Sequence, residues 1–293
     1  MKDLKLNSIQ DLKSEGKSFY WASFFLPKKS KLNAGILYSI CRYFDNMADN
    51  DNEDRTALLI NSIEEIKKNK DNPVNIFLKK NNINILVFED LIKGFIFDQK
   101  KIIIKNEYQL IKYSYHVAGT VGLMMSKLIG VNNKNATSSA IDLGIAMQLT
   151  NIVRDVYEDA NMERVYLPSE LIPNINLSML KGQTKLNLKQ ENIISDAIFK
   201  IINISDSFYH NGFYGLKYIP MRTRLGIFVA ANIYRGIGIK IRKKGKKYLK
   251  QRIYLTAFEK FLITIKSILQ FIFLRFLKYK YLKLRDPLPN ENL

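Results

Sequence analysis

Two pairs of aspartates stand four residues apart, Asp45/Asp49 and Asp155/Asp159. On a helix, positions i and i+4 share a face, so each pair sets like charges side by side at a cost of about 0.2–0.5 kcal/mol unless a cation answers them. Mg2+ prefers oxygen, usually one or two carboxylates with waters and phosphate oxygens completing its shell. Two facing pairs would therefore hold two or three ions around a diphosphate. Neither pair lies on a plainly polar stretch: Tyr43, Phe44 and Met47 surround the first, and Leu149, Ile152 and Val153 the second. Carboxylates among so much apolar surface need a partner.

A lone Asp-x-x-x-Asp ordinarily means a solvated acidic helix end. The company of the second pair argues otherwise. Gln148, Asn151 or Ile152, Asp155 and Asp159 recur at steps of three or four residues, a stripe that stays polar for three turns. Arg154 flanks it, and Arg42 precedes the first pair by three residues. Each pair thus has a cation suited to a departing diphosphate or, equally, to an intrahelical salt bridge.

Long helices must position these side chains. Apolar residues recur at helical spacing from Leu32 to Asp49 (Ile36, Leu37, Ile40, Tyr43, Phe44, Met47), after Pro27, and residues 50–54 read as a polar loop. The spacing predicts further helices over 54–69, 73–81 and 84–98. A long run from Glu107 to Ile129 contains Ala118, Gly119 and Gly122, small residues that let two helices approach or leave room for a ligand. The second pair rides a helix from Ser138 to Tyr157, the pattern lapses from Asp159 to Glu163, and Pro168 and Pro173 bracket a connection. Helices over 189–215, 220–245 and 254–283 complete an all-α chain, with no alternating strand pattern and no linker-like stretch, hence a single domain over 1–293.

The last of these is the most apolar. Lys260, Lys266 and Arg275 interrupt it too often for a membrane span. Phe261, Ile265, Ile268, Leu269, Ile272 and Phe276 form one stripe, read first as a core-packing face and second as a basic amphipathic helix lying at a membrane surface.

The charge balance, 46 Lys+Arg against 27 Asp+Glu for a net +19, suits an anionic partner: nucleic acid, a membrane surface or a phosphorylated substrate. Heavy use of Lys, Ile and Asn, as an AT-rich coding sequence gives, dilutes that signal. The basic run Lys240, Arg242, Lys243, Lys244, Lys246, Lys247 and Lys250 has no recognition motif, so no nucleic acid is expected; a basic helical nucleic-acid- or membrane-binding protein is the alternative from another class. The single Cys41 excludes an intramolecular disulfide and, with only His116 and His210 beside it, argues against zinc. Met1-Lys2-Asp3-Leu4 opens no apolar run, so no secretory signal is expected, and the expected location is cytoplasmic or peripheral at the inner face of the membrane.

Six blocks, in order, carry a resemblance. They are Ser18-Phe19-Tyr20-Trp21-Ala22-Ser23 with Leu26-Pro27; Cys41 to Asp49; Tyr113-Ser114-Tyr115-His116-Val117-Ala118-Gly119-Thr120-Val121-Gly122; Gln148 to Asp159; Arg164-Val165-Tyr166-Leu167-Pro168; and Ala230 to Ile237. The chain resembles the squalene/phytoene synthases, the head-to-head (1'-1) prenyltransferases, and most of all the bacterial phytoene synthases among them.

The resemblance implies an all-α isoprenoid synthase fold around a central cavity that takes two allylic diphosphates. It implies that Asp45, Asp49, Asp155 and Asp159, with Asn151, hold Mg2+, two or three ions for which Mn2+ is a substitute. Arg42, Gln148, Asn151 and Arg154 match positions that bind diphosphate, metal or intermediate, and Ser18 matches a diphosphate contact. Phe19, Tyr113 and Tyr234 match aromatic positions of the cavity, and Arg252 a late basic position. The implied reaction joins two geranylgeranyl diphosphates to phytoene through prephytoene diphosphate, with proton loss in place of reduction by NADPH and a lipid as product. Squalene or dehydrosqualene synthesis from farnesyl diphosphate is the near alternative. One departure stands out: Asn46 occupies the second place of a motif that usually reads Asp-Asp-x-x-Asp. Since i+1 lies about 100° from the shared face, Asn46 need not be a ligand.

Overall fold

Asparagine, so abundant in the sequence, starts many of the helices. Asn72, Asn84, Asn106, Asn176 and Asn187 each stand at an N-cap and accept a hydrogen bond from a backbone N–H two or three residues on. Pro73 follows its cap at the first helical position, and Asn187 closes a capping box with Gln190. The computed structural model describes residues 13–14, 16–49, 54–99, 102–131, 133–245, 252–286 and 288. Among them the order is α1 Lys17–Ser23, α2 Lys28–Ala48, α3 Thr56–Lys68, α4 Pro73–Lys80, α5 Ile85–Phe97, α6 Glu107–Ser114, α7 Thr120–Leu128, α8 Lys134–Asn161, α9 Leu177–Leu180, α10 Leu188–Gly215, α11 Met221–Lys244 and α12 Ala257–Gln270. No strand occurs among the described residues, and the all-α expectation holds. The predicted loop residues 50–53, and Lys246, Lys247 and Lys250 of the basic run, lie outside the described residues.

The two aspartate helices are longer than the apolar spacing predicts. α2 begins directly after Pro27, and α8 runs on to Asn161, so Asp159 is helical. The apolar pattern lapses there because Asp159 lines the cavity, while Ala160 keeps the same turn packed in the core. The run from Glu107 is helical as far as Leu128 but changes to a π turn over Tyr115–Gly119. That turn crosses α5 at Gly94, where an added Cβ would stand 2.7 Å from Val117 Cγ1.

α8 is the central helix, packed most extensively on α10 and also against α6, α7 and α11. Gly122 lets α7, and Gly144 lets the π turn, touch α8 backbone to backbone: a Cβ at Gly122 would fall 2.1 Å from the carbonyl oxygen of Ala140, and one at Gly144 2.2 Å from that of Ala118. Phe44, Phe88, Leu110, Leu149, Ile198 and Phe208 are buried in one continuous core.

The C-terminal part corrects two expectations. The predicted helix over 254–283 is α-helical only as α12, capped by a Thr256/Glu259 box, then a 3-10 segment Phe271–Phe276 and an irregular strap. Side chains hold the strap in place of helix bonds: Asn211 pairs with both the N–H and the C=O of Lys280, while Tyr279 and Arg285 donate to Asp142. The core-packing reading of the apolar stripe is also overturned. α12 buries Thr264 and Ser267, whereas Phe261, Leu269, Ile272 and Phe276 are 50–67 % exposed. Trp21 Nε1 donates to Thr264 Oγ1 (3.2 Å), and Gly236 of α11 makes room for Ile263, so the narrow polar side of α12 is the one that fits. No helix among the described residues is long and apolar enough to cross a membrane.

Candidate active site

α2 and α8 bring Asp45, Asp49, Asp155 and Asp159 to one cavity of ≈ 620 Å³. Val117, Val121, Met125, Leu143, Met147 and Ile227 give it apolar walls. The carboxylates share its lining with Arg42, Gln148, Asn151, Arg154 and Arg164.

Each aspartate site carries its own cations. Arg42 Nη1 lies 2.6 Å from Asp45 Oδ2, one turn apart on α2. Arg154 grips Asp155 with two bonds, Nε to Oδ1 at 2.8 Å and Nη2 to Oδ2 at 2.6 Å. Arg252 arrives from beyond α11 and lies 2.9 Å from Asp155 Oδ1 and 2.6 Å from Glu158 Oε2. Arg164 joins the two sites, since it follows α8 yet binds Asp49 at 2.8 Å and stands in electrostatic reach of Asp45, Asp98 and Asp159.

Even so, carboxylate charge is in excess. Burial, then Asp49, raises the pKa of Asp45 against the pull of Arg42. Burial and the neighbouring Asp155 push Asp159 up to about 8. Burial likewise lifts Asp98 to about 7, although Tyr166, Arg164 and Tyr113 all favour its ionised form. Asp98 accepts from the hydroxyls of both tyrosines, Tyr113 at 3.0 Å and Tyr166 at 2.9 Å, whose rings stack at 4.9 Å. Across the cavity lining, Phe19 and Tyr234 pack with ring centroids 5.0 Å apart.

Of the residues singled out in the sequence, Phe19, Arg42, Asp45, Asp49, Tyr113, Gln148, Asn151, Arg154, Asp155, Asp159 and Tyr234 all line the cavity. Arg252 reaches it through Asp155, and Ser18 is half-buried beside Phe19 but outside the lining. Asn46 is exposed and also outside it. Sequence reasoning missed Asp98, Tyr166 and the bridging place of Arg164. Asp98 is a single acid after the apolar end of α5, with no spacing partner to mark it.

A family profile described as squalene/phytoene synthase matches residues 12–259. The chain belongs to the squalene/phytoene synthase family. Among its relatives, the 15-cis-phytoene synthase of a Paracoccus species is 30% identical over 272 residues, covering 86% of this chain and 87% of that one. The phytoene synthase of Thermus thermophilus is 31% identical over 271 residues, covering 89% and 91%. A solved dehydrosqualene synthase bound to a ligand superposes with TM-score 0.78 at 26% identity, over 92% of this chain and 97% of that one. The squalene/phytoene synthases are prenyltransferase-type enzymes that use prenyl diphosphates and, in general, a divalent metal.

The residues of this family member fit such a cation. Asn151 Nδ2 donates to Gln148 Oε1 at 3.3 Å, while its buried Oδ1 has no hydrogen-bond partner. That oxygen lies one turn before Asp155, in line with two carboxylates whose mutual repulsion resists ionisation. Three hard oxygen donors on one stripe suit a hard divalent ion. Among the described residues no three His, Cys, Asp or Glu side chains converge to hold a metal by themselves. An ion shared with phosphate oxygens and water fits that donor set.

Proposed function

We propose that this protein couples two geranylgeranyl diphosphates head to head (1'-1) into phytoene, through prephytoene diphosphate, for carotenoid biosynthesis. The observation that carries the reading is the meeting of four carboxylates from two helices, with arginines beside them, at a cavity whose remaining walls are largely apolar, in a chain whose relatives over most of its length are named phytoene synthase.

Asp45 and Asp49 would hold metal on one side, and Asn151, Asp155 and Asp159 on the other; two or three Mg2+ ions, or Mn2+, are the ions proposed. When bound there, the metal supplies Lewis acidity toward the diphosphate oxygens. Arg42, Arg154 and Arg252 bring guanidinium donors to the same oxygens, and their present carboxylate partners hold them in place meanwhile. Loss of the first diphosphate gives an allylic cation, which the double bond of the second substrate captures, and loss of a proton from the resulting cation closes the cyclopropane ring. The cyclopropylcarbinyl diphosphate so formed ionises in turn, rearranges and loses a proton, with no NADPH needed. The balance is two substrates to phytoene and two diphosphates, with the two protons lost from carbon taken up by the two diphosphates released. Apolar walls keep water from the cations. The faces of Phe19, Tyr113 and Tyr234 offer them cation–π attraction of about 2 kcal/mol where desolvated. The reaction is proposed for a single domain over residues 1–293, in the cytoplasm or peripherally at the inner face of the membrane, which would receive a hydrocarbon product.

The test is incubation of the purified protein with geranylgeranyl or farnesyl diphosphate and Mg2+, with and without NADPH. Phytoene from the longer substrate, indifferent to NADPH, is the expected product. Consumption of farnesyl diphosphate alone would overturn the substrate assignment in favour of the dehydrosqualene reading. Asp45→Ala and Asp155→Ala should each abolish coupling, and full activity in either would refute the site.

A further inference from the structure

α12 is amphipathic in the reverse sense to a core helix. Its buried side is Thr264 and Ser267; its outer side, with the 3-10 segment that follows, presents Phe258, Phe261, Leu269, Ile272, Phe273 and Phe276, each half or more exposed. This is a contiguous stripe of large apolar side chains facing solvent, far beyond the scattered exposure usual on a monomer. It lies mostly past residue 259, where the family match ends.

The chemistry around the stripe says what covers it. Between Ala257 and Lys280 stand Lys260, Lys266, Arg275, Lys278 and Lys280 against a single acid, Glu259, which is already bound to Lys240. An apolar face edged by cations matches a bilayer whose headgroups are anionic, where tails receive the phenylalanines and phosphates the lysines. A second copy of the chain fits poorly, because its own basic edge would meet this one on molecules of net charge +19.

Position adds a reason. α11 lines the cavity with Ile227, Ala230 and Tyr234, while its other side meets α12 and the 3-10 segment, with Phe228 and Phe271 ring centroids 6.4 Å apart and Gly236 against Ile263. The exposed stripe is therefore one helix away from the cavity.

We infer that the outer face of α12 and the segment Phe271–Phe276 is a docking surface for an anionic lipid bilayer, which places the cavity beside the membrane. The inference deepens the phytoene synthase reading and rests on it for its purpose, namely discharge of a hydrocarbon product. Flotation of the full-length protein with phosphatidylcholine vesicles, with and without phosphatidylglycerol, tests it. The wild type should float with the anionic vesicles, less so at high salt. The variant Leu269→Glu/Phe273→Glu, altered at two exposed positions, should lose about tenfold or more of that binding while keeping its melting temperature and its turnover in detergent solution. A wild type that does not float, or a variant that floats as well, overturns the proposal. So does a wild-type dimer in sedimentation velocity that the variant turns into monomers, since the face is then a self-interface. Flotation without any prenyl coupling by the wild type would instead sink the enzyme reading and leave the docking surface standing.

Discussion

Arg164 Nη2 lies 2.8 Å from Asp49 Oδ1, so the chain leaving α8 is tied to the end of α2 across 115 residues of sequence. Without that guanidinium, Asp45, Asp98 and Asp159 would also lose a nearby positive charge that favours their ionised forms. Arg164→Ala should therefore raise the Mg2+ concentration needed for half-maximal coupling by about 10–100-fold, as loss of a partner that orients a metal ligand commonly does. The partly exposed pair should add only about 1 kcal/mol or less to stability. A Mg2+ titration of the coupling rate decides, and an unshifted midpoint would remove Arg164 from the site.

Asp98 makes stability depend on pH in an unusual direction for a carboxylate. Its acid titrates near 3.8 in the unfolded chain and near 7 in the fold, where burial opposes the charge. Between those values the folded state holds the extra proton. The stability Asp98 lends is thus complete below the unfolded value and is lost as pH rises through about 7, at about 1.4 kcal/mol per pH unit and about 4 kcal/mol at most. Asp98→Asn, whose amide still meets both tyrosine hydroxyls, should flatten that decline in urea melts of the ligand-free protein from pH 5 to 8. Parallel profiles for variant and wild type would mean that Asp98 is already ionised in the fold.

The helices were legible because apolar spacing acts locally, whereas the asparagine caps that start many of them emerge only in the structure. Asp45, Asp49, Asp155 and Asp159 were legible because i, i+4 carboxylates on apolar helices have few other uses. The rest depended on geometry with no local trace. Asp98 and Tyr166 meet only because α5 and the loop after α8 lie on one side of the cavity. The facing of α12 was misread because a stripe at helical spacing shows that one side is apolar, not that this side is buried. Thr264 became the inner residue only once Trp21, 243 positions away, offered its N–H.

Asn46 illustrates how a departure from a motif can be silent. It is exposed and outside the cavity lining, one residue off the face shared by Asp45 and Asp49. Asn46→Asp should accordingly change kcat/KM and the Mg2+ midpoint by less than about threefold, since a carboxylate about 100° around the helix adds no ligand. A tenfold gain, roughly 1.4 kcal/mol, would instead show that α2 turns this position inward when substrate binds.

Gly144 and Gly238 should respond to alanine with opposite signs. At Gly144 the new Cβ would lie 2.2 Å from the carbonyl oxygen of Ala118, part of a neighbouring backbone that cannot rotate away. Gly144→Ala should cost about 3 kcal/mol or more, by forcing α8 off the π turn. At Gly238 the nearest atom is Ile202 Cγ2 at 3.6 Å, an ordinary contact, so Gly238→Ala should gain up to about 1 kcal/mol from helix propensity. Thermal melts of both variants check the pair, and equal shifts would contradict the packing described for α8 and the π turn.

One anchor of the C-terminal strap is a buried carboxylate, Asp142. Asp142 is fully buried, with Arg285 Nε at 2.6 Å from one oxygen and the Tyr279 hydroxyl at 3.2 Å from the other. Burial raises its pKa and Arg285 opposes that rise. Removing the guanidinium leaves a charge in the core, which costs about 3–5 kcal/mol, whereas removing the charge as well avoids most of that penalty. Arg285→Ala should therefore be strongly destabilised, and Asp142→Asn/Arg285→Ala should recover part of the loss even though it lacks one more ionisable group. Asp142 sits between Ser139 and Leu143, both in the cavity wall, so the single variant should also bind substrate less well at temperatures where it remains folded. Urea melts of the two single variants and the double variant form the decisive cycle. If the double variant is no more stable than Arg285→Ala, Asp142 does not owe its charge to the strap, and the latch must lie in the Asn211–Lys280 backbone pairing instead.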